Sequence, residues 1–511
     1  MSCTLRPVNG IGMGPRQIRR CHISQSPPPA VNRNINFAWT NRHRTQALNT
    51  TPLFASGGLR DRSRTETDRS KTVASGTWAI PTSGNPALPD CLRLNRILPA
   101  ASLVDIVLIV ILLPRPYHVP LARPFWSRAT FRAILRCLLS GQVILGPELA
   151  QLKSRVTRKL SVQDAVLCGS GSLALELALR SCDVKSGDEV VVPTFCCTSV
   201  IAPILALDAR PVLVDVGDEL NITAVTVEPA LSKRTRAIIV PHLFGNPAEI
   251  DSIIDLTRAR DIRVIDDAAQ ALGASLNGRN LGVFGDAGIL SFGNDKVCSG
   301  LGGGVFVSRH GEVFERGAEI ELAAADLSIA LRNLSSTLVW HRWRRWSVPL
   351  LEVLYSSAAT DPESLPPRYR KESMSNLNAA VASSLMKSLQ DNIAARRVRV
   401  RAYQGLLGNE RLILVPHRAG SACLTQVIGV LPKFHGHDPA SDLIASLRGA
   451  SFEVQGSYIP IHLLAPYQQL AVRSFPHAEK IWTNLIELPG EPDVSLQHVG
   501  RIASIVKQTI S

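Results

Sequence analysis

From about residue 120 onward the chain alternates short apolar runs with amphipathic stretches. The runs 165–168, 189–192, 211–216, 237–240, 263–265, 287–290 and 305–307 are brief and rich in Val and Ile, as strands buried on both faces are. Between them, 173–181, 200–207 and 250–260 carry helical spacing. Upstream, the pattern predicts helices over 131–139 and 148–160, punctuated by Gly146-Pro147. Strands alternating with helices predict an α/β domain on a mostly parallel sheet. Ligands of such sheets bind beyond the carboxyl ends of the strands, so polar residues directly after strands are the ones to examine.

The first 118 residues have a different texture. Residues 1–60 contain eight Arg, no Lys and no acidic residue, broken by stretches such as Ser26-Pro27-Pro28-Pro29. No period of 2 or 3.6 persists there, so no packed core is expected. The composition superficially resembles an organelle transit peptide, but a disordered tail or an upstream start explains it equally. Segment 103–113 is apolar except for Asp105 and is stopped by Pro114 and Pro116. It falls short of the ~20 residues that span a bilayer. A buried strand, a staple onto the body and a weak membrane association are its three readings.

The formal charge of +14 belongs mostly to this extension. Residues 1–125 hold 16 Lys+Arg against 5 Asp+Glu, and residues 126–511 hold 40 against 37. A near-neutral body argues against a nucleic-acid partner. Ten cysteines show no CxxC pair and no Cys/His spacing suited to zinc. A reduced, cytoplasmic protein without a structural metal is expected.

Three segments that follow strands carry candidate chemistry. Gly169-Ser170-Gly171-Ser172 stands between a strand and a helix, where glycines and free N–H groups favour an anion. It lacks the Gly-Lys-Ser/Thr of a Walker loop and the spacing of a dinucleotide fold. Asp266-Asp267 ends the run 263–265, and a buried carboxylate there needs a partner. Either it faces a protonated ring nitrogen or it caps a helix over 268–272. Ser291-Phe292-Gly293-Asn294-Asp295-Lys296 precedes the glycine-rich 300–304, a setting that can confine a lysine and lower its pKa for Schiff-base chemistry.

GSGS, then VIDDAAQALGA, then LSFGNDK and GLGGG, in this order, resembles the fold-type I pyridoxal-phosphate enzymes. More narrowly, it resembles the DegT/DnrJ/StrS nucleotide-sugar aminotransferases. Gly187 to Pro193, Pro241 to Pro247, Tyr458 to His462, Ser474 to Glu479 and Glu487-Leu488-Pro489 extend the resemblance from about residue 120 to the end. It implies a large cofactor-binding domain over 119–374 and a smaller C-terminal α/β domain over 375–511, working as a homodimer. Carried over by position, Lys296 would form the aldimine with pyridoxal phosphate and carry the proton. Asp267 would face the pyridine nitrogen, and Gln270, one turn on, the ring hydroxyl. Gly171, Ser172 and Ser291 would hold the phosphate. The implied reaction is amino transfer, with glutamate the expected donor, to a keto group on a nucleotide-linked sugar. The alternatives are a non-catalytic relative and a sugar dehydratase; dehydratases resembling this family carry histidine at the lysine position.

Three departures from the family pattern stand out. Cys197 occupies the position where many members stack an aromatic ring on the cofactor. Lys371 and Ser373 stand where the family often has an Asn and an Arg, the Asn reaching the partner subunit's phosphate; Lys371 could replace that contact as a cation. The stretch 323–371 is long and includes Trp340, Trp343 and Trp346 interleaved with Arg342, Arg344 and Arg345. Such a pattern suits a membrane interface or anionic partner, or a helix lining a cleft or dimer interface, the reading preferred here.

Overall fold

The computed structural model describes residues 117, 119–122, 124–338, 369–408, 411–431 and 439–510. The arginine-rich extension, the apolar segment 103–113 and the Trp/Arg segment 339–346 lie outside the described residues. Among the described residues no helix is long and apolar enough to cross a membrane.

Helix α1 (Arg128–Leu139) starts where the Ser127 hydroxyl accepts from the Thr130 amide, and buries Thr130, Ala133, Ile134 and Cys137 along one face. Helix α2 (Pro147–Leu160) has proline in its first turn, buries Leu152, Val156 and Leu160, and ends at a left-handed Ser161. Strand β1 (Val166–Cys168) then leads into α3 (Gly171–Ser181).

β2 (Glu189–Pro193), β3 (Arg210–Val214), β4 (Thr235–Pro241), β5 (Arg263–Asp267), β6 (Ala287–Ser291) and β7 (Gly304–Val307) complete a seven-stranded sheet of order β1-β7-β6-β5-β4-β2-β3. β2 to β6 pair in parallel, and β7 runs antiparallel to both neighbours. The mostly parallel α/β architecture expected from the sequence is therefore present. Two expected helices are shorter than their spacing suggested. Residues 200–207 form a 3-10 turn and the short helix Ile201–Leu205, and 250–260 form α4, Ile250–Thr257. Residues 268–272 form turns, so the helix that Asp267 might have capped does not exist.

Helix α5 (Asn376–Lys387) packs on α1 and α2, with Leu377, Ala380 and Val381 in the large core. Helix α6 (Leu389–Leu406) joins two cores: Leu389 and Ile393 belong to the first, Tyr403 to the second. The second core lies under an antiparallel sheet made of β8 (Leu412–Leu414), β9 (Gln426–Val430), β10 (Gln455–Gly456) and β11 (Leu485–Leu488), in the order β8-β9-β11-β10. The closing helix α7 (Leu496–Ile510) contributes Val499, Ile502 and Val506 to it.

Arg396, near the middle of α6, is fully buried and almost fully satisfied. Its Nε donates to Asn392 Oδ1 (2.7 Å), its Nη1 to the Leu424 carbonyl (2.7 Å) and its Nη2 to Glu491 Oε2 (2.5 Å). Removing one partner of such a pair strands the other charge in the interior. Arg396→Ala is expected to destabilise the protein by about 3–5 kcal/mol, read as a lower midpoint of thermal or denaturant unfolding.

Candidate active site

The carboxyl ends of β1, β2, β4, β5 and β6 deliver their following loops to one cleft. Gly171, Ser172, Cys197, Asp267, Gln270, Ser291 and Lys296, all seven residues singled out in the sequence, line it. His242, at the end of β4, lines it too.

One end of the cleft is the amino terminus of α3. The Ser170 hydroxyl caps it by accepting from the Leu173 amide (3.1 Å), while the amides of Gly171 and Ser172 precede the first intrahelical bonds. Free amides and the helix dipole make this end suited to an anion. A Cβ on Gly171 would stand 3.0 Å from both Cβ and Oγ of Ser291, so glycine is what lets the turn and that hydroxyl close on the same space.

The paired acids of β5 divide their work. Asp266 is fully buried: the His242 Nε2 lies 2.8 Å from its Oδ1, and the Phe284 amide donates to its Oδ2 (2.8 Å). The Ala248 amide donates to His242 Nδ1 (2.9 Å), which leaves Nε2 as the donor to Asp266. Asp267 turns the other way. Its Oδ1 accepts from the Ala269 amide (2.9 Å), and among the described residues its Oδ2 has no donor. Burial raises its pKa above the usual carboxylate range, against the pull of His242 and Lys296.

Lys296 Nζ lies 2.9 Å from Asp295 Oδ2. Burial pulls its pKa down, but Asp295, Cys197 and Asp267 together outweigh that and hold it above the ordinary lysine value. The lowered pKa expected from the sequence is thus reversed, because three acidic groups surround the amine. Gln270 is held at both ends, its Oε1 accepting from the Phe244 amide (2.9 Å) and its Nε2 donating to Tyr458 Oη (2.9 Å). Cys197 Sγ accepts from the Ser199 hydroxyl (3.0 Å).

Two features were not legible as site chemistry. Lys371 pairs with the buried Glu176 (2.7 Å), which also binds Tyr369 and Arg180. Its cation therefore has a partner within its own chain. Beside the cleft lies a cavity of about 650 Å³, walled by Gln270, Asn294, Asp295, Gln455, Tyr458 and Glu487 among others. Gln270 borders both spaces. Gln455 and Glu487 reach it on the antiparallel sheet, from nearly two hundred positions further along the chain.

A lysine, a buried carboxylate and a helix-terminal anion cradle, set at the strand ends of a mostly parallel sheet, define a fold-type I pyridoxal-phosphate enzyme. Residues 127–507 match the model of the DegT/DnrJ/EryC1/StrS aminotransferase family, and the chain belongs to that family. Its cofactor is pyridoxal 5′-phosphate. The chain is 30% identical over 371 residues to the UDP-N-acetyl-3-dehydro-alpha-D-glucosamine 3-aminotransferase of Acidithiobacillus ferrooxidans, covering 72% of this chain and 90% of that one. Its fold is similar to that of Helicobacter pylori PseC, an aminotransferase involved in pseudoaminic acid biosynthesis (TM-score 0.63, 19% identity, 78% of this chain and 99% of that one). It is equally similar to E. coli GDP-4-keto-6-deoxy-D-mannose-3-dehydratase (TM-score 0.62, 18% identity, 76% and 100%). The residues present fit the cofactor: Asp267 offers a buried oxygen with no donor, and Gly171 leaves the space a side chain would fill.

Of the seven described cysteines, Cys197 is the one that is not buried, while burial pushes the neighbouring Cys196 thiol far up. Brief iodoacetamide treatment of the native protein should alkylate Cys197 before the other six, as read by peptide mass spectrometry.

Proposed function

We propose that this protein transfers an amino group from glutamate to a keto group of a nucleotide-linked sugar, with Lys296 as the lysine that bonds the cofactor. The observation that carries the reading is the convergence of Lys296 and the buried Asp267, whose Oδ2 has no donor among the described residues, on one cleft beside a sugar-sized cavity.

Each residue has a defined task. Asp267, kept dry, keeps a proton on the ring nitrogen facing it. Gly171 and Ser172 amides and the Ser291 hydroxyl hold the phosphate. Gln270, with one Nε2 hydrogen used on Tyr458, has a second for the ring hydroxyl. Cys197 packs against the ring face, giving up about 0.5–1.5 kcal/mol of aromatic stacking. When bound, the cofactor supplies an electron sink for the carbanion formed at the reacting carbon. Lys296, as a free amine, would take the proton from the donor's α-carbon in the first half-reaction and would deliver one to the sugar's reacting carbon in the second. An amine that leaves and re-enters in this way requires ping-pong kinetics.

The dehydratase reading is disfavoured by Lys296 itself, since an imidazole cannot bond the cofactor as an amine does. We place the enzyme as a cytoplasmic homodimer in polysaccharide biosynthesis.

The test is the visible absorption spectrum of protein loaded with pyridoxal phosphate, before and after L-glutamate. A band that bleaches with glutamate and is absent in Lys296→Ala supports the reading. A band indifferent to glutamate, or no band, overturns it. Asp267→Asn should retain the band but bleach about 10²–10³ times more slowly, the cost of losing one preorganised charge.

A further inference from the structure

β11 alternates its side chains between two faces. Ile486 and Leu488 enter the second core, while Leu485 joins the large one. Residue 487 shares the face of Leu485, where period-2 patterning calls for an apolar side chain. A glutamate stands there instead, between Val427 on one neighbouring strand and Gln455 on the other.

The Glu487 carboxyl opens onto the 650 Å³ cavity. It accepts from the Ser457 hydroxyl (3.2 Å) and from Gln455 Nε2 (3.5 Å), and no cation among the described residues pairs with it. Burial, with a smaller push from Asp295 and against those two hydrogen bonds and Lys296, raises its pKa to about 7. The other acids on the wall are Asp295, paired with Lys296, and Glu491, held by Arg396. No Arg, Lys or His lines the cavity among the described residues. The described part of the wall offers hydrogen bonds to hydroxyls and amides and no cation to neutralise a phosphate.

We propose that Glu487 is a specificity-determining residue that hydrogen-bonds a hydroxyl or acylamido group of the acceptor sugar, so that the cavity admits the uncharged pyranose and leaves the diphosphate outside. This rests on the aminotransferase reading above. A glutamate on an apolar face costs the fold stability: the folded state favours the protonated acid, so stability falls as pH rises from the ordinary carboxylate value through about 7. A sugar contact gives that cost a purpose.

The test measures binding to the cofactor-loaded enzyme by calorimetry, using UDP, UDP-N-acetylglucosamine, GDP and GDP-mannose as probes. In the wild type, at least one nucleotide sugar should bind more tightly than its own nucleotide. Glu487→Ala should cut that ratio at least about tenfold. Glu487→Gln, which keeps an acceptor in place, should lose less. At pH 8 Glu487→Gln should melt no lower than the wild type, because it removes a group there whose ionisation the fold disfavours. The proposal is overturned by an unchanged ratio in both variants, by nucleotide sugars that bind no more tightly than nucleotides, or by lowered melting in both variants. Bleaching of the wild-type band by glutamate needs no sugar, so it reports separately whether the aminotransferase reading stands.

Discussion

The site is organised around two adjacent carboxylates buried at the end of one central strand. Burying an unpaired charge is prohibitive, so each oxygen must find a donor or an ionic partner. Asp266 is satisfied by His242 and the Phe284 amide, and this ties the loop after β4 to the end of β5. The His242 amide also donates to the Asp267 carbonyl (3.1 Å), closing the same junction through the backbone. With Asp266 so anchored, strand alternation forces Asp267 to the opposite side, into the cleft. That position is unfavourable for a carboxylate until a cation meets it.

The remaining groups complement that charge at fixed distances set by rigid elements. Ser291 lies at the end of β6, beside β5, and Gly171 begins the helix that crosses over it. Lys296 follows β6 by five residues, close enough to feel both Asp267 and Cys197. Its contact with Asp295 (2.9 Å) favours the charged amine and helps hold its pKa above the ordinary lysine value. The C-terminal part of the chain closes the arrangement from one side: Tyr458 anchors Gln270 and packs near Phe244 and Phe195, with ring centroids 5.9 Å apart in both cases. Phe244 adopts a left-handed backbone (φ 56°), held there by the Gln270 bond to its amide and by its carbonyl's bond from Leu424. A strained residue kept by two tertiary contacts couples the cleft to the second sheet.

The family-level resemblance and the structure agree because the chemistry-bearing residues follow strands directly. A residue at the end of a strand or a few positions beyond it has little freedom in where it points, so Lys296, Asp267 and Gly171 could be gathered from motif order together with the family resemblance. Glu176 shows the limit of that reasoning. Nothing in its local sequence marks it, yet it is buried and pairs with Lys371, nearly two hundred residues later.

The sequence by itself determined the mostly parallel sheet and its strands, because period and turn chemistry are local, and its ordered motifs pointed through the family resemblance to the residues that line the cleft. Only the tertiary structure decided how those residues are charged and what stands opposite them. The raised pKa of Lys296 comes from its sequence neighbour Asp295 reinforced by Cys197 and Asp267, which the fold brings to it, and the division of labour between Asp266 and Asp267 comes from His242, which follows another strand. The acidic cavity wall at Glu487 exists because an antiparallel sheet from the end of the chain is folded against the first. Such effects depend on distance and burial, which sequence separations of tens to hundreds of residues do not encode.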